Sequence, residues 1–297
     1  MRTHLHAEWT KLRTLAGTGW LLFTIIVLTV TAGAAASAVV SCASEGCGYD
    51  PAKISLFGVQ VSQAVVAILA VLAITGEHST GMIRMTLTAM PDRTKVLAAK
   101  AIILVGLILI AGSVAVLAST LAARPILLDN GFPADPLILT SGPMLRAAFG
   151  SVLYLALIAL LSLGIATAVR DSATAIGVVL GLLYLFPALI LMINDDHWQR
   201  LLWQISPMNA GLAIQTTTNL ASLPLTPWAG LGVPAAWAAA AMLGGGLLLR
   251  ARDAWPRPPG FTKDVSPYID RCTGHFAPRD DQGRCSRKQA GKREQTY

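Results

Sequence analysis

AAFGSVLYLALIALLSLGIATAV (Ala147–Val169), RDS (Arg170–Ser172) and ATAIGVVLGLLYLFPALILMI (Ala173–Ile193) decide how this chain folds. Each apolar run is close to the roughly 20 residues that carry a helix across about 30 Å of hydrocarbon. A soluble core helix has one apolar face, whereas these runs are apolar all round. Alternation with period two is absent, so the runs read as helices, which satisfy their own backbone in lipid. Only Arg170, Asp171 and Ser172 separate them, which predicts a tight antiparallel hairpin.

Working outward, the same reading applies at Trp20–Val40, Phe57–Thr75, Ala101–Leu121 and Trp228–Leu249. The expected fold is therefore an all-α integral membrane protein, a six-span helical bundle. Composition agrees: hydrophobic residues make up 54% of the 297 and charged residues 13%, about half the charged share of an ordinary soluble domain. The first run is too long for the apolar part of a cleavable signal peptide.

A net charge of +7 invites a nucleic-acid reading, but the cations sit at span ends, in loops and in the last stretch of chain. Cytoplasmic loops of membrane proteins are basic for a reason of their own. With the N-terminus inside, the inner segments before the tail hold Arg2, Lys11, Arg13, Arg84, Arg93, Lys95, Lys100, Arg170, Arg250 and Arg252. The outer loops hold Lys53, Arg124, Arg146 and Arg200. This bias predicts cytoplasmic N- and C-termini, in a multi-pass protein of the plasma membrane that binds no nucleic acid.

Three flanking segments complete the plan. In residues 1–16, Leu5, Trp9, Leu12 and Ala16 share one narrow face, which predicts an amphipathic interfacial helix on the inner leaflet. The segment Asn194–Pro227 is too long for a hairpin turn. Trp198, Leu201, Leu202 and Ile205 share a face, Pro207 breaks the chain, and Met208–Thr217 suits a second short helix. A pair of half-helices forming an outer re-entrant region between spans five and six is expected, with a surface-lying helix as the alternative. From Trp255 the chain turns polar and ends in a basic run, so residues 1–254 form the six-span transmembrane domain and 255–297 a polar basic tail predicted to be disordered.

Catalytic chemistry is missing where it would be needed. His4, His6, His78, His197 and His275 all fall outside the spans, and no Asp or Glu lies within a span core. Ion-coupled transporters and intramembrane hydrolases use ionisable groups at depth. The Gly291-Lys292 pair lacks the context of a phosphate-binding loop. No enzyme activity, metal or cofactor is expected in this chain. Cys42 and Cys47, in SCASEGCGYD of the first outer loop, are spaced for a disulfide or remain two free thiols. Cys272 and Cys285 sit in the tail without metal-site spacing.

The inner segment EHSTGMIRMTLTAMPDRTKVLAAKA runs from Glu77 to Ala101. Pro91-Asp92 reads as a turn. Met82–Ala89 is long enough for about two helical turns, with Met82 and Met85 adaptable enough to fill a partner's apolar groove. This segment resembles the corresponding loop of type-2 permease subunits of ATP-binding cassette exporters, especially actinobacterial ones. Glu77, Gly81, Arg84, Thr86, Pro91, Arg93 and Ala98-Ala99-Lys100 supply the matches, while Asp92 stands where a second basic residue is usual. HAEWTKLRT (His6–Thr14) and SPMNAGLAIQ (Ser206–Gln215) are also similar to that family. The tail matches nothing in it.

The resemblance implies a permease subunit that forms half of a translocation pathway and pairs with a second permease subunit, identical or related. A separate ATPase subunit would hold the ATP and dock on Glu77, Gly81, Met82, Arg84, Met85, Pro91 and Arg93. The competing readings are a secondary transporter or channel, marked by buried ionisable groups, and a membrane scaffold that transports nothing.

Overall fold

The computed structural model describes residues 16–42, 48–79, 93–133, 141–169, 171–218, 220 and 224–251. The expected interfacial helix, the greater part of the docking loop and the polar tail lie outside these residues. The elements are α1 (Ala16–Val39), α2 (Pro51–Ser55), α3 (Phe57–Ser79), α4 (Arg93–Asp129), α5 (Gly142–Val169), α6 (Ser172–Leu180), α7 (Phe186–Ile190), α8 (Asp196–Ile205), α9 (Pro207–Leu212) and α10 (Pro227–Ala251). A π-turn, Gly181–Leu185, joins α6 to α7, and a 3₁₀ turn, Ala213–Gln215, follows α9. Among the described residues there is no strand.

Six helical segments are long and apolar enough to cross a membrane: Gly17–Val39, Pro51–Gly76, Val96–Asp129, Gly142–Val169, Ser172–Ile190 and Pro227–Leu248. All six were legible as apolar runs. Every end falls within about six residues of its expected place except the close of the third. It was expected to stop at Leu121, but α4 continues through Arg124 and Pro125 to Asp129. Leu127 and Leu128 extend the apolar pattern past the proline, and Leu127 is fully buried with Ala123 and Phe132. Packing of that face outweighs the one backbone bond that a proline removes. The helix then ends at Gly131, whose φ of 86° suits glycine. Phe132 N–H reaches Leu127 O at 3.0 Å and Gly131 N–H reaches Leu128 O at 3.1 Å. This is a Schellman stop, complete with its apolar contact between Phe132 and Leu127.

Helix α5 forms the centre, packed on α3, α4 and α10, while α1 closes over α3 and α4. Its buried side chains include Tyr154, Leu155, Ile158, Leu161 and Leu163. The outward side chains are apolar as well: Phe23, Ile110, Phe149, Leu185 and Leu243 are all exposed. An apolar exterior around an apolar core is what a lipid solvent permits. Without a hydrophobic drive between helices, contact depends on close backbone approach at small residues. Gly58 lies so near α1 that a Cβ there would sit 1.9 Å from Thr29 O. A Cβ on Gly245 of α10 would sit 2.7 Å from Gly164 O of α5.

The bundle has two ends. The Cys42 end gathers the close of α1, the start of α3, the close of α4, the start of α5, the α8–α9 pair and the start of α10. The Lys100 end gathers the remaining helix ends, including both Ala16 and Ala251.

Candidate functional site

The predicted docking loop spans the gap between α3 and α4 in the sequence. Glu77 falls in the last turns of α3 and Arg93 opens α4. Gly81, Met82, Arg84, Met85 and Pro91 lie outside the described residues. Nearby, Lys100 is buried and donates from Nζ to Ala73 O at 3.1 Å, which ties α4 to α3 at this end. Between α5 and α6, Asp171 caps α6, accepting from Thr174 N and Thr174 Oγ1 at 2.7 Å each. The Thr174 hydroxyl first, then the Thr174 amide, hold the Asp171 carboxyl below its ordinary value of 3.8.

The Cys42 end carries a polar assembly that sequence reading did not single out. Asp50 precedes Pro51 and caps α2, accepting from Ala52 N at 3.1 Å. The same carboxylate reaches the far segment after α9. It accepts from Thr217 Oγ1 at 2.6 Å, from Thr218 N at 3.0 Å, and from Thr217 N. Arg146, at the start of α5, donates from Nη2 to Thr216 O at 2.6 Å. One turn deeper, Gln215 Nε2 donates to Ser151 Oγ at 3.0 Å. Residues 215–218 are therefore held from two sides, by the first loop and by α5.

The α8–α9 pair feeds this assembly. Asp195 caps α8 through His197 N at 2.9 Å and Trp198 N at 3.3 Å. Ser206 separates the two helices and Pro207 opens α9, a position where its missing N–H costs nothing. The predicted apolar face of α8 is largely exposed, with Trp198, Leu201 and Ile205 all outward. By contrast, Met208, Ala210, Leu212 and Ile214 are buried, and α9 with its following turn packs on α10 and α5. Trp237 Nε1 of α10 donates to Ile205 O at 3.0 Å and fixes the junction.

Cys42 is disulfide-bonded. Its partner lies outside the described residues, as do Cys47, Cys272 and Cys285. Cys42 N donates to Asn130 O at 2.9 Å, and Asn130 Nδ2 donates to Ser37 O at 2.9 Å. The loop after α1 is thus pinned to the stop of α4.

A second polar group lies inside the bundle. Tyr154 OH donates to Gln63 Oε1, both residues being fully buried, and Tyr184 OH donates to Gln60 O at 2.7 Å. Gln63 Nε2 is buried without a hydrogen-bond partner among the described residues. Tyr184 sits in the π-turn, where the wider winding ahead of Pro187 turns its ring toward α3. The signal was in the sequence, since glutamines and tyrosines in lipid-crossing runs must find partners. The ionisable residues alone do not reveal it. Among the described residues, no three His, Cys, Asp or Glu side chains gather as metal ligands.

No protein-family model matches the chain, and no curated protein matches it either.

Proposed function

We propose that this chain is the transmembrane permease subunit of an ATP-driven exporter, forming half of the translocation pathway beside a second permease subunit and docking a separate ATPase. The observation that carries this reading is the segment Glu77–Ala101, whose acidic, glycine, arginine, proline and basic positions resemble the coupling loop of type-2 permeases. It joins two membrane-crossing helices, α3 and α4, at the Lys100 end. The six apolar helices support the reading, as does the α8–α9 pair before the last of them. In this proposal α8 and α9 are the re-entrant pair: the buried α9 and the outward apolar face of α8 suit a segment dipping into one leaflet. The face shared by Leu5, Trp9 and Leu12 in the sequence supports an interfacial helix ahead of α1 in this proposal.

The Lys100 end faces the cytoplasm in this reading. Two independent facts support that orientation. The basic residues concentrate there, and Cys42 at the opposite end is disulfide-bonded, which suits an oxidising compartment. A reporter fused after Ala254 should be active only if it works in the cytoplasm; activity of an export-dependent reporter would reverse the orientation.

The docking role has its own test. A desolvated charge pair at a docking surface costs about 2–5 kcal/mol when one partner is removed. Glu77→Lys should therefore weaken co-purification with an ATPase subunit and uncouple hydrolysis from export, at unchanged membrane levels. Asp at Met82 and Met85 should do likewise by placing charge in an apolar groove. Full ATPase binding by both variants would make the segment a linker.

A further inference from the structure

At the Cys42 end, an open groove of about 650 Å³ runs between the close of α1 and the start of α3. Ala32, Ala35 and Ala36, with their short side chains, line it together with Phe57. Ala35 and Phe57 are exposed, so the hollow opens to the surroundings of the bundle. Those surroundings are lipid, because the groove lies along helices that cross the membrane. Its volume falls within the range of small-molecule sites.

The hollow itself is apolar throughout, and polar side chains enter its lining by their carbon atoms. Tyr49 and Lys53 line it, at the point where the chain enters its second crossing. Tyrosine favours the level of lipid headgroups, and a lysine stem lies along apolar surface while its ammonium reaches water. Asp50 also lines the mouth, but its oxygens are engaged by Ala52, Thr217 and Thr218. Lys53 is exposed and has no ion-pair partner among the described residues. The groove therefore joins a seat for a hydrocarbon chain to a cation at headgroup height.

We infer that this groove binds an anionic glycerophospholipid, one acyl chain lying over Ala32, Ala35 and Ala36 and the phosphate meeting Lys53. The inference requires only that the protein crosses a membrane, and it stands or falls apart from the transport reading.

The test uses the purified full-length chain, equilibrated in mixed phosphatidylglycerol and phosphatidylcholine, with retained lipid measured by native mass spectrometry. Wild type should retain phosphatidylglycerol in preference to phosphatidylcholine. Lys53→Glu should cut that preference at least about fivefold, the size expected for loss of one basic residue at an anionic surface. Ala35→Phe, at an exposed position, should abolish retention of both lipids while leaving the size-exclusion profile and melting temperature unchanged. Retention unaffected by either variant would overturn the proposal. Loss on Ala35→Phe with no effect of Lys53→Glu would remove the headgroup assignment and overturn the choice of an anionic lipid. Conversion of a dimeric wild type to a monomer by Ala35→Phe would assign the groove to a second copy of the chain instead.

Discussion

Asp50 and Thr217, 167 positions apart in the chain, are joined by two hydrogen bonds to one carboxylate, from the Thr217 hydroxyl and the Thr217 amide. Two loop segments of the same membrane face are locked together by a single side chain. Because Thr218 N and Ala52 N also donate to Asp50, removing the carboxylate would leave four donors to find water.

Asp50→Ala should therefore lower stability in detergent by about 2 kcal/mol, within the range for hydrogen bonds to a charged group. Asp50→Asn keeps one acceptor oxygen and should lose roughly half as much. Chemical-denaturation midpoints measure both. Equal midpoints for all three proteins would show that water replaces the carboxylate without cost.

The α1–α3 contact gives a paired comparison. Gly58→Ala would drive a methyl group into the backbone of Thr29, at 1.9 Å from its oxygen, and neither helix can yield by rotating a side chain. The expected loss is about 3 kcal/mol, at the upper end for overpacking. Gly177→Ala on α6 meets open space, and its effect should stay within about 0.5 kcal/mol. Thermal unfolding of both variants decides the matter; similar melting points would mean that α1 can move away freely.

Tyr154 and Gln63 form a hydrogen-bonded pair deep in the bundle. Hydrogen bonds between membrane helices couple by about 0.6 kcal/mol on average and reach about 1.7. Full burial of both groups puts this pair at the upper end. A double-mutant cycle with Tyr154→Phe and Gln63→Leu should return about 1.5 kcal/mol of coupling. Coupling near zero would mean that each group is satisfied independently, by water or by Tyr184.

Asp171 supplies a pH dependence whose sign follows from its cap. Its carboxyl is held below the ordinary value because the charged form accepts from the Thr174 hydroxyl and amide. A carboxyl depressed in the folded state stabilises that state fully above its unfolded value, and the contribution fades as pH falls through the folded value. Amide exchange in the first turn of α6 should accordingly be slow and constant from neutral pH down to about 4 once intrinsic rates are removed, then rise below it. Asp171→Asn should abolish that rise. An unchanged profile in the variant would assign the acid sensitivity to another group.

The crossings were legible because lipid imposes a single requirement, a long apolar run, and such a run needs no knowledge of neighbours. The interior of the bundle was less so. Asp50 reads as an ordinary turn residue before Pro51, and only the return of Thr217 to the same end makes it a tie. The close of α4 lies beyond its expected end because the burial of Leu127 against Phe132, which carries the helix past Pro125, is a contact that an apolar run does not show. Likewise, the π-turn leaves no mark in the order of apolar residues, apart from Pro187 waiting at its end.

Helix α4 has 37 residues, about 55 Å of helix at 1.5 Å per residue, against about 30 Å of hydrocarbon. It is one unbroken rod from face to face, with its single proline at position 125, close to the far end. An α-helix resists compression along its axis far better than it resists bending at a missing hydrogen bond. Just beyond Pro125 the rod is tied down at Asn130, which accepts from Cys42 N and donates to Ser37 O. The same helix that opens at Arg93 therefore ends in the contacts that seat the disulfide-bonded Cys42.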